Sequence, residues 1–483
     1  MSEQPNLPVS RNIKIGFFHL GSGMADVLST GIWNRIMISD LGFPATPVGL
    51  LISLRYFLAP LGIWAGRVSD RRAVAGYRRL FWIWLGRAMM VASVLMLGFK
   101  TGALARGGGA DLTTWLILAG ALFLFSLGSA FSGSTFLALI YDRSSEKQRG
   151  RSVGIVWTFL LLGFTVGGIL FGSLLPSYES REIFGWVGVA GAEFETHKEL
   201  LMVGRPMYAP ETIEVLFAVA GLMLGSLWFF SLLGEEKRIR GEAARESVAA
   251  SGEHDTSMMA DLKLVWKSRP MRFFAAYLGL SMIFAFSQDL ILEPFAAEVF
   301  NMDAQHTTRF AAYWGSMSIL GTIAFLWLSR KFPRLNNTVM SYSGVAILVL
   351  TFGLFAVCAL FEIRGLVTIG LITLGLGLGI WNVGTLGLMM DMSPLERAGT
   401  FLGFWTLLVT FARGFGVSGG GIGRDVMLQL TGDLSLSYGL VFLGSMFGLI
   451  VSMWALRHVK VATFKREELR ANDTATIFAG AME

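Results

Sequence analysis

The sequence predicts an all-α membrane protein: twelve transmembrane helices arranged as two six-helix halves. Three observations lead there: scarcity of charge, the number of apolar segments, and an internal repeat. Of 483 residues, 53% are hydrophobic and 15% charged, where a soluble domain averages about 25% charged. Mean hydropathy is +0.58. So long and apolar a chain has too little polar surface to cover itself in water, and lipid is its natural solvent. The net charge of +6 is carried by loop arginines, so nucleic acid is not an expected partner.

Twelve apolar segments approach the roughly 20 residues a helix needs to cross a bilayer. They are read at 13–38, 46–66, 80–99, 113–141, 152–175, 212–234, 271–294, 307–329, 338–360, 365–390, 399–422 and 436–456. Loop charge sets their orientation. Arg67, Arg71, Arg72, Arg78 and Arg79 follow the second segment, and Arg143, Lys147, Arg149 and Arg151 follow the fourth. Lys237, Arg238, Arg240 and Arg245 follow the sixth, whereas the loop after the first has no Lys or Arg. Both termini should therefore be cytoplasmic, and the glutamate-bearing loop 176–211 should face outward. The N-terminal half then spans 1–234, a polar cytoplasmic linker 235–269, the C-terminal half 270–458, and a cytoplasmic tail 459–483. Within the linker, "MMADLKLVWKS" alternates apolar and basic residues and suits a membrane surface, although a plain flexible linker explains it as well.

The N-terminus, "MSEQPNLPVSRNIK", lacks a signal-peptide plan, and His19 and Asp26 interrupt the first apolar segment. The single cysteine, Cys358, lies in an apolar run. It excludes a disulfide framework and a cysteine-based metal site, and no metal site is expected. No phosphate-binding loop is present, and the glycine-x-glycine strings lie within spans rather than after strands. The expectation is a protein that is not an enzyme and is not driven by ATP.

The repeat pairs "IYDRSSEKQRGRSVGIVW" after the fourth segment with "MMDMSPLERAGTFLGFW" after the tenth. Asp142 aligns with Asp391, Gly150 with Gly399, Gly154 with Gly403, Gly167 with Gly416, and Gly172 with Gly421. Two copies in the same orientation resemble the parallel repeat of major facilitator transporters. "GRVSDRR", from Gly66 through Asp70 and Arg71 to Arg72, resembles that superfamily's loop between helices 2 and 3. Gly66 permits a tight exit, and Asp70 can accept helix N-terminal donors or pair with an arginine.

Four further stretches narrow the resemblance. "SQDLILEPFAAEVFNM" (287–302) is similar to the helix 7 signature of the PucC-type light-harvesting assembly proteins, a photosynthetic branch of the major facilitator superfamily. "WNRIMISDLGFPA" (33–45), "APLGIWAGRVSDRR" (59–72) and "GYRRLFWIWLG" (76–86) resemble the same family in order. The resemblance implies a multi-pass protein of the bacterial inner, photosynthetic intracytoplasmic membrane. It implies a factor that binds bacteriochlorophyll or delivers it to antenna polypeptides, with pigment-synthesis enzymes as further partners. Peripheral antenna, core antenna and the branch beside the pigment-synthesis genes stay open.

Ionisable groups inside a bilayer cost at least about 2.5–3.5 kcal/mol at its centre and normally face a partner or a cavity. Asp26, Arg55 and Arg413 fall near mid-span, Asp289 and Glu293 in the outward half of the seventh segment, and Arg35 near the outward end of the first. Two readings stand side by side. The groups form packing pairs, Asp26 with Arg55 and Asp289 with Arg413, or they bind a ligand or carry protons. Arg87, near a span end, is expected to snorkel to the interface. Pro294 is expected to end or kink the seventh helix, leaving Glu293 at a break near water. For a pigment magnesium, His19 is the candidate ligand, with Asn382 and Gln288 behind it. Trp381 lies among Gly370, Gly375, Gly377, Gly379, Gly384 and Gly387, which admit either close helix packing or a flat ring. A proton-coupled transporter of a small molecule is the alternative function.

Overall fold

Long apolar runs that must satisfy their backbone inside lipid have one local solution, the α-helix. A computed structural model describes residues 7–71, 73–107, 110–145, 148–175, 209–236, 238, 269–332, 335–393, 398–461 and 464. The first helix, α1, runs as α-helix over Val9–Val27 and then in π-helical turns over Leu28–Trp33 and Ile36–Asp40. α2 comprises Ala45–Phe57 and Ala59–Arg71, with a break at Leu58 beside Pro60. α3 is Leu80–Ala105, α4 Leu112–Arg143, α5 Arg149–Ser173 and α6 Pro210–Leu232. In the second half, α7 comprises Arg269–Phe286 and Gln288–Phe300, and α8 Ala304–Thr308 and Phe310–Lys331. α9 is Asn337–Leu360, α10 Gly365–Asp391, α11 Ala398–Thr431 and α12 Leu434–Arg457.

Eleven of these, α2 to α12, are long and apolar enough to cross a membrane. α1 is helical but not among them, because Arg11, Lys14, His19 and Asp26 dilute its apolar character. It is tolerated because α5 and α6 pack along it. The predicted outer loop at 176–211 and the linker at 235–269 fall almost wholly outside the described residues, as do most residues of the tail.

The helix pairings repeat six helices apart. α1 packs on α5 and α6, α2 on α4, and α3 on α4 and α6. Correspondingly, α7 packs on α11 and α12, α8 on α10, and α9 on α10 and α12. The halves meet along α2–α11 and α5–α8. The glycines aligned in sequence occupy matching places. A Cβ on Gly167 of α5 would press on Met24 of α1, and one on Gly416 of α11 would lie 2.4 Å from the Ile283 carbonyl of α7. Gly172 of α5 faces Gln305 of α8, while Gly421 of α11 faces the Ala45 carbonyl of α2. Gly154 and Gly403 both face open space. The aligned aspartates also match: Asp142, at the end of α4, accepts from Arg79 Nε at 2.9 Å before α3. Asp391, at the end of α10, accepts from Asn337 Nδ2 at 2.9 Å at the start of α9.

The helix 2–3 loop is built around Arg79. Its guanidinium pairs with Asp70 and Asp142 and donates to Ser69 Oγ at 2.7 Å. Asp70 thus takes the arginine of the two partners its position allowed. The free N–H groups at the start of α3 are capped by Glu236, which accepts from the amides of Arg78, Arg79 and Leu80. Gly66 lies against Ser134 of α4 with room for a Cβ, so no tight contact there demands glycine. The Arg71 side chain lies outside the described residues.

Candidate functional site

The intramembrane charges gather where the halves meet. Arg55 Nη1 of α2 donates to Asp26 Oδ1 of α1 at 2.6 Å. Arg413 Nη2 of α11 donates to Asp289 Oδ2 of α7 at 2.7 Å. Each pair is internal to one half. Tyr56 ties them together: the Arg55 guanidinium lies 4.7 Å and the Arg413 guanidinium 5.4 Å from its ring centre. Gln288 Nε2 donates to the other Asp289 oxygen at 2.6 Å, and Arg413 also lies over the Phe286 ring at 4.1 Å. Two cations and two anions thus straddle the α2–α11 seam as a neutral quartet. Asp26 and Arg413 keep 27% and 29% of their side-chain surface exposed.

Such a pair is most costly to break from one side. Asp289→Asn leaves Arg413 without its counter-charge, and losing one partner of a buried pair costs roughly 3–5 kcal/mol. Lower membrane abundance is expected, with Arg413→Ala also depleted. Wild-type levels of both variants in a membrane immunoblot would exclude a structural role for the pair.

Three expectations are corrected. First, Pro294 does not end α7, which continues to Phe300; the interruption lies at Ser287. Proline cannot donate to the carbonyl four residues back. That carbonyl, of Leu290, is satisfied instead by Asn34 Nδ2 of α1 at 2.7 Å. A neighbouring side chain replacing the lost backbone bond is what lets a proline persist in a membrane helix. Second, Glu293 is not at a watery break. It is only 6% exposed, packed against the π-helical part of α1 beside Gly31. Third, Arg87 does not snorkel. It is 6% exposed, lying over Phe18 at 4.3 Å and Trp228 at 4.5 Å. Cation–π contacts of that kind contribute about 2 kcal/mol when desolvated.

The other candidates separate. Arg35 Nη1 donates to Asp40 at 2.7 Å and its Nη2 to the Met302 carbonyl at 3.2 Å, so it bridges α1 to the α7–α8 turn. Trp381 is fully buried and donates to Tyr277 Oη at 3.0 Å, and Tyr277 in turn bonds Thr385. The α10 glycines around it all touch neighbouring helices; a Cβ on Gly375 or Gly379 would meet the Trp314 or Ser318 carbonyl within 2.3 Å. These faces are closed by helix packing. Asn382 is exposed. His19 lies 4.8 Å from the Phe136 ring and 5.9 Å from Trp157, with no hydrogen-bond partner on Nδ1.

One cluster was not foreseen. Arg424 of α11 holds both Glu298 oxygens of α7, at 2.8 and 2.6 Å, and Asp425 Oδ1 at 2.9 Å. Tyr438 of α12 donates to Glu298 at 2.6 Å. Asp425 then reaches the other half, accepting from the amides of Ala45 and Thr46 at 3.1 and 2.7 Å. A carboxylate there caps α2 in place of a residue of its own segment.

The helix pairing and the interface between halves define a membrane protein of the major facilitator type. A bacterial homologue of the human lysosomal transporter Spinster, solved inward-facing and unoccupied, superposes with a TM-score of 0.68 at 13% identity, covering 95% of this chain and 98% of that one. The nucleoside transporter NupG, as a mutant, gives 0.64 at 13% identity over 92% and 99%. Likenesses this remote in sequence establish the fold alone. The family is set by sequence: a profile described as "PUCC protein" matches residues 32–464, and the chain belongs to that family. Protein PucC of Cereibacter sphaeroides is 29% identical over 90% of this chain and 87% of its own length. A Rhodobacter capsulatus protein named bacteriochlorophyll synthase 44.5 kDa chain is 26% identical over 89% and 90%.

Proposed function

We propose that this chain is an integral-membrane assembly factor for photosynthetic antenna complexes, one that binds bacteriochlorophyll and passes it to light-harvesting polypeptides. Family membership over residues 32–464 is the observation that carries the reading, and a relative named for bacteriochlorophyll synthesis supports it. The pigment is cargo here. It needs an axial magnesium ligand beside a flat apolar surface. His19 offers a ring nitrogen, and Trp157, 5.9 Å away and 49% exposed, offers an open aromatic face. These are the residues that would hold it, at the α1–α5 edge of the first half. The chain's part in this reading is binding and handover, with no bond made or broken. The membrane is the photosynthetic intracytoplasmic one, with both termini cytoplasmic, antenna polypeptides as the receiving partners and pigment-synthesis enzymes as suppliers. Reporter fusions at residue 483 and in the 176–211 loop should report opposite sides.

The test is the absorption spectrum of the full-length protein purified from pigment-producing membranes. Bacteriochlorophyll should co-elute, and His19→Leu should lose most of it. A colourless wild-type preparation contradicts pigment binding.

A second reading, a proton-coupled secondary transporter of a small molecule, is favoured by the neutral quartet of Asp26, Arg55, Asp289 and Arg413 between the halves. Transporters use such carboxylates to exchange protons and such arginines to hold anions. Vesicle uptake driven by a pH gradient would support it.

A further inference from the structure

Among the described residues, Glu293 is a seam-facing carboxylate with no ion pair of its own; the charge of Arg35 reaches it, but Arg35 is itself paired with Asp40. Four arginines on the elements packed against its helix segment are already paired. Arg35 is held by Asp40 at 2.7 Å, Arg55 by Asp26 at 2.6 Å, Arg413 by Asp289 at 2.7 Å, and Arg424 by Glu298 and Asp425 at 2.6 and 2.9 Å. From the start of α8, His306 is paired with Asp303 at 2.7 Å, and the Arg309 stem packs on Gly172 of α5. On its own helix the nearest ionisable neighbour is Asp289, one turn back, which adds like charge. A carboxylate so enclosed, with no counter-charge in direct contact, is costly to hold as an anion in an apolar medium.

A second observation fits the first. Glu293 Oε2 is buried without a hydrogen-bond partner, and so is Asn34 Oδ1. Asn34 faces this segment of α7, its amide nitrogen donating to the carbonyl of Leu290, three residues before Glu293, at 2.7 Å. Both orphaned atoms are acceptors, so neither can satisfy the other until one carries a hydrogen. A proton on Oε2 turns two unsatisfied acceptors into one O–H···O bond. The wall opposite is the π-helical stretch Leu28–Trp33 of α1, an irregularity frequent at functional sites.

We propose that Glu293 is a proton-binding site: its neutral carboxylic acid donates from Oε2 to Asn34 Oδ1 while α1 and α7 are in contact, and loss of that proton to water drives the two helices apart. No bond other than O–H is made or broken, and no co-reactant beyond the proton is needed. The site joins the first half to the second, so its occupancy is tied to the contact between halves. It does not depend on pigment binding, and its test has no antenna readout.

The experiment is pH-difference infrared spectroscopy of the full-length protein in lipid nanodiscs, with spin labels in the α1–α2 and α7–α8 turns as a second reading. Wild type should show a carboxylic C=O band that bleaches as pH rises, with label distances lengthening over the same range. Glu293→Gln, a neutral isostere, should accumulate normally, lose the band, and give distances that ignore pH. Asn34→Leu should keep the band but shift it to higher frequency, the mark of a lost hydrogen bond. A band that persists in Glu293→Gln, its absence from wild type, or pH-independent distances in wild type would overturn the proposal. Failure of Glu293→Gln to accumulate would do so too, because a neutral site tolerates glutamine.

Discussion

Arg424→Leu is expected to remove most of the folded protein from the membrane. Arg424 is the one cation shared by Glu298 and Asp425, and all three are largely enclosed. Leucine would leave two carboxylates facing each other in an apolar site. Breaking one buried pair costs roughly 3–5 kcal/mol, a large part of the ~5–15 kcal/mol that holds a typical domain folded. The loss also propagates, because Asp425 caps α2 across the interface between halves. An immunoblot of membranes, paired with a thermal melt of residual protein in detergent, reads the effect. Adding Glu298→Gln to Arg424→Leu should recover part of the loss, since it removes one stranded charge. Undiminished Arg424→Leu would mean the cluster is solvated and inert.

Gly23→Leu is expected to have an effect of similar size by a different route. At the α1–α5 crossing a Cβ on Gly23 would sit 2.2 Å from the Leu160 carbonyl oxygen, and one on Gly163 2.3 Å from that of Leu20. Here the obstacle is backbone, which cannot rotate away as a side chain can. Small residues at such crossings are what allow membrane helices to associate by packing alone. Overpacking a tight core typically costs about 1–3 kcal/mol, and more where main chain must move. α1 would have to leave α5, opening the first half. Gly154→Leu, which faces open space, is the control and should accumulate normally. Equal abundance of the two variants would contradict the close crossing.

Much of this arrangement could be read in the chain itself, and the misses have physical causes. Depth within apolar segments was enough to bring Asp26 to Arg55 and Asp289 to Arg413, because few partners exist inside a bilayer. The glycine register of the repeat was enough to match α5 with α11, down to the helices each one touches. The Glu298–Arg424–Asp425 cluster escaped for the reason the pairs did not. The seventh span is read as ending at Pro294 and the eleventh at 422, just short of the residues that meet. Pro294 misled because a proline's effect depends on who takes the carbonyl it frees. Asn34 takes it from another helix 256 positions away in sequence, which no local pattern reveals. Arg87 misled similarly: its cradle of Phe18 and Trp228 comes from α1 and α6. Glu293 stood out as a carboxylate inside an apolar segment, but its burial against α1 did not, because that wall comes from a distant part of the chain.

The proposed role in antenna assembly, as against pigment synthesis or general transport, can be read in the cell. The most direct measurement is near-infrared antenna absorbance, set against total extractable bacteriochlorophyll, in a strain lacking the gene and in the same strain carrying it on a plasmid. The account predicts a severalfold fall in antenna absorbance with extractable pigment largely retained, and recovery on complementation. Antenna absorbance that stays at the wild-type level in the deletion strain, with no related gene supplying the same protein, would contradict it.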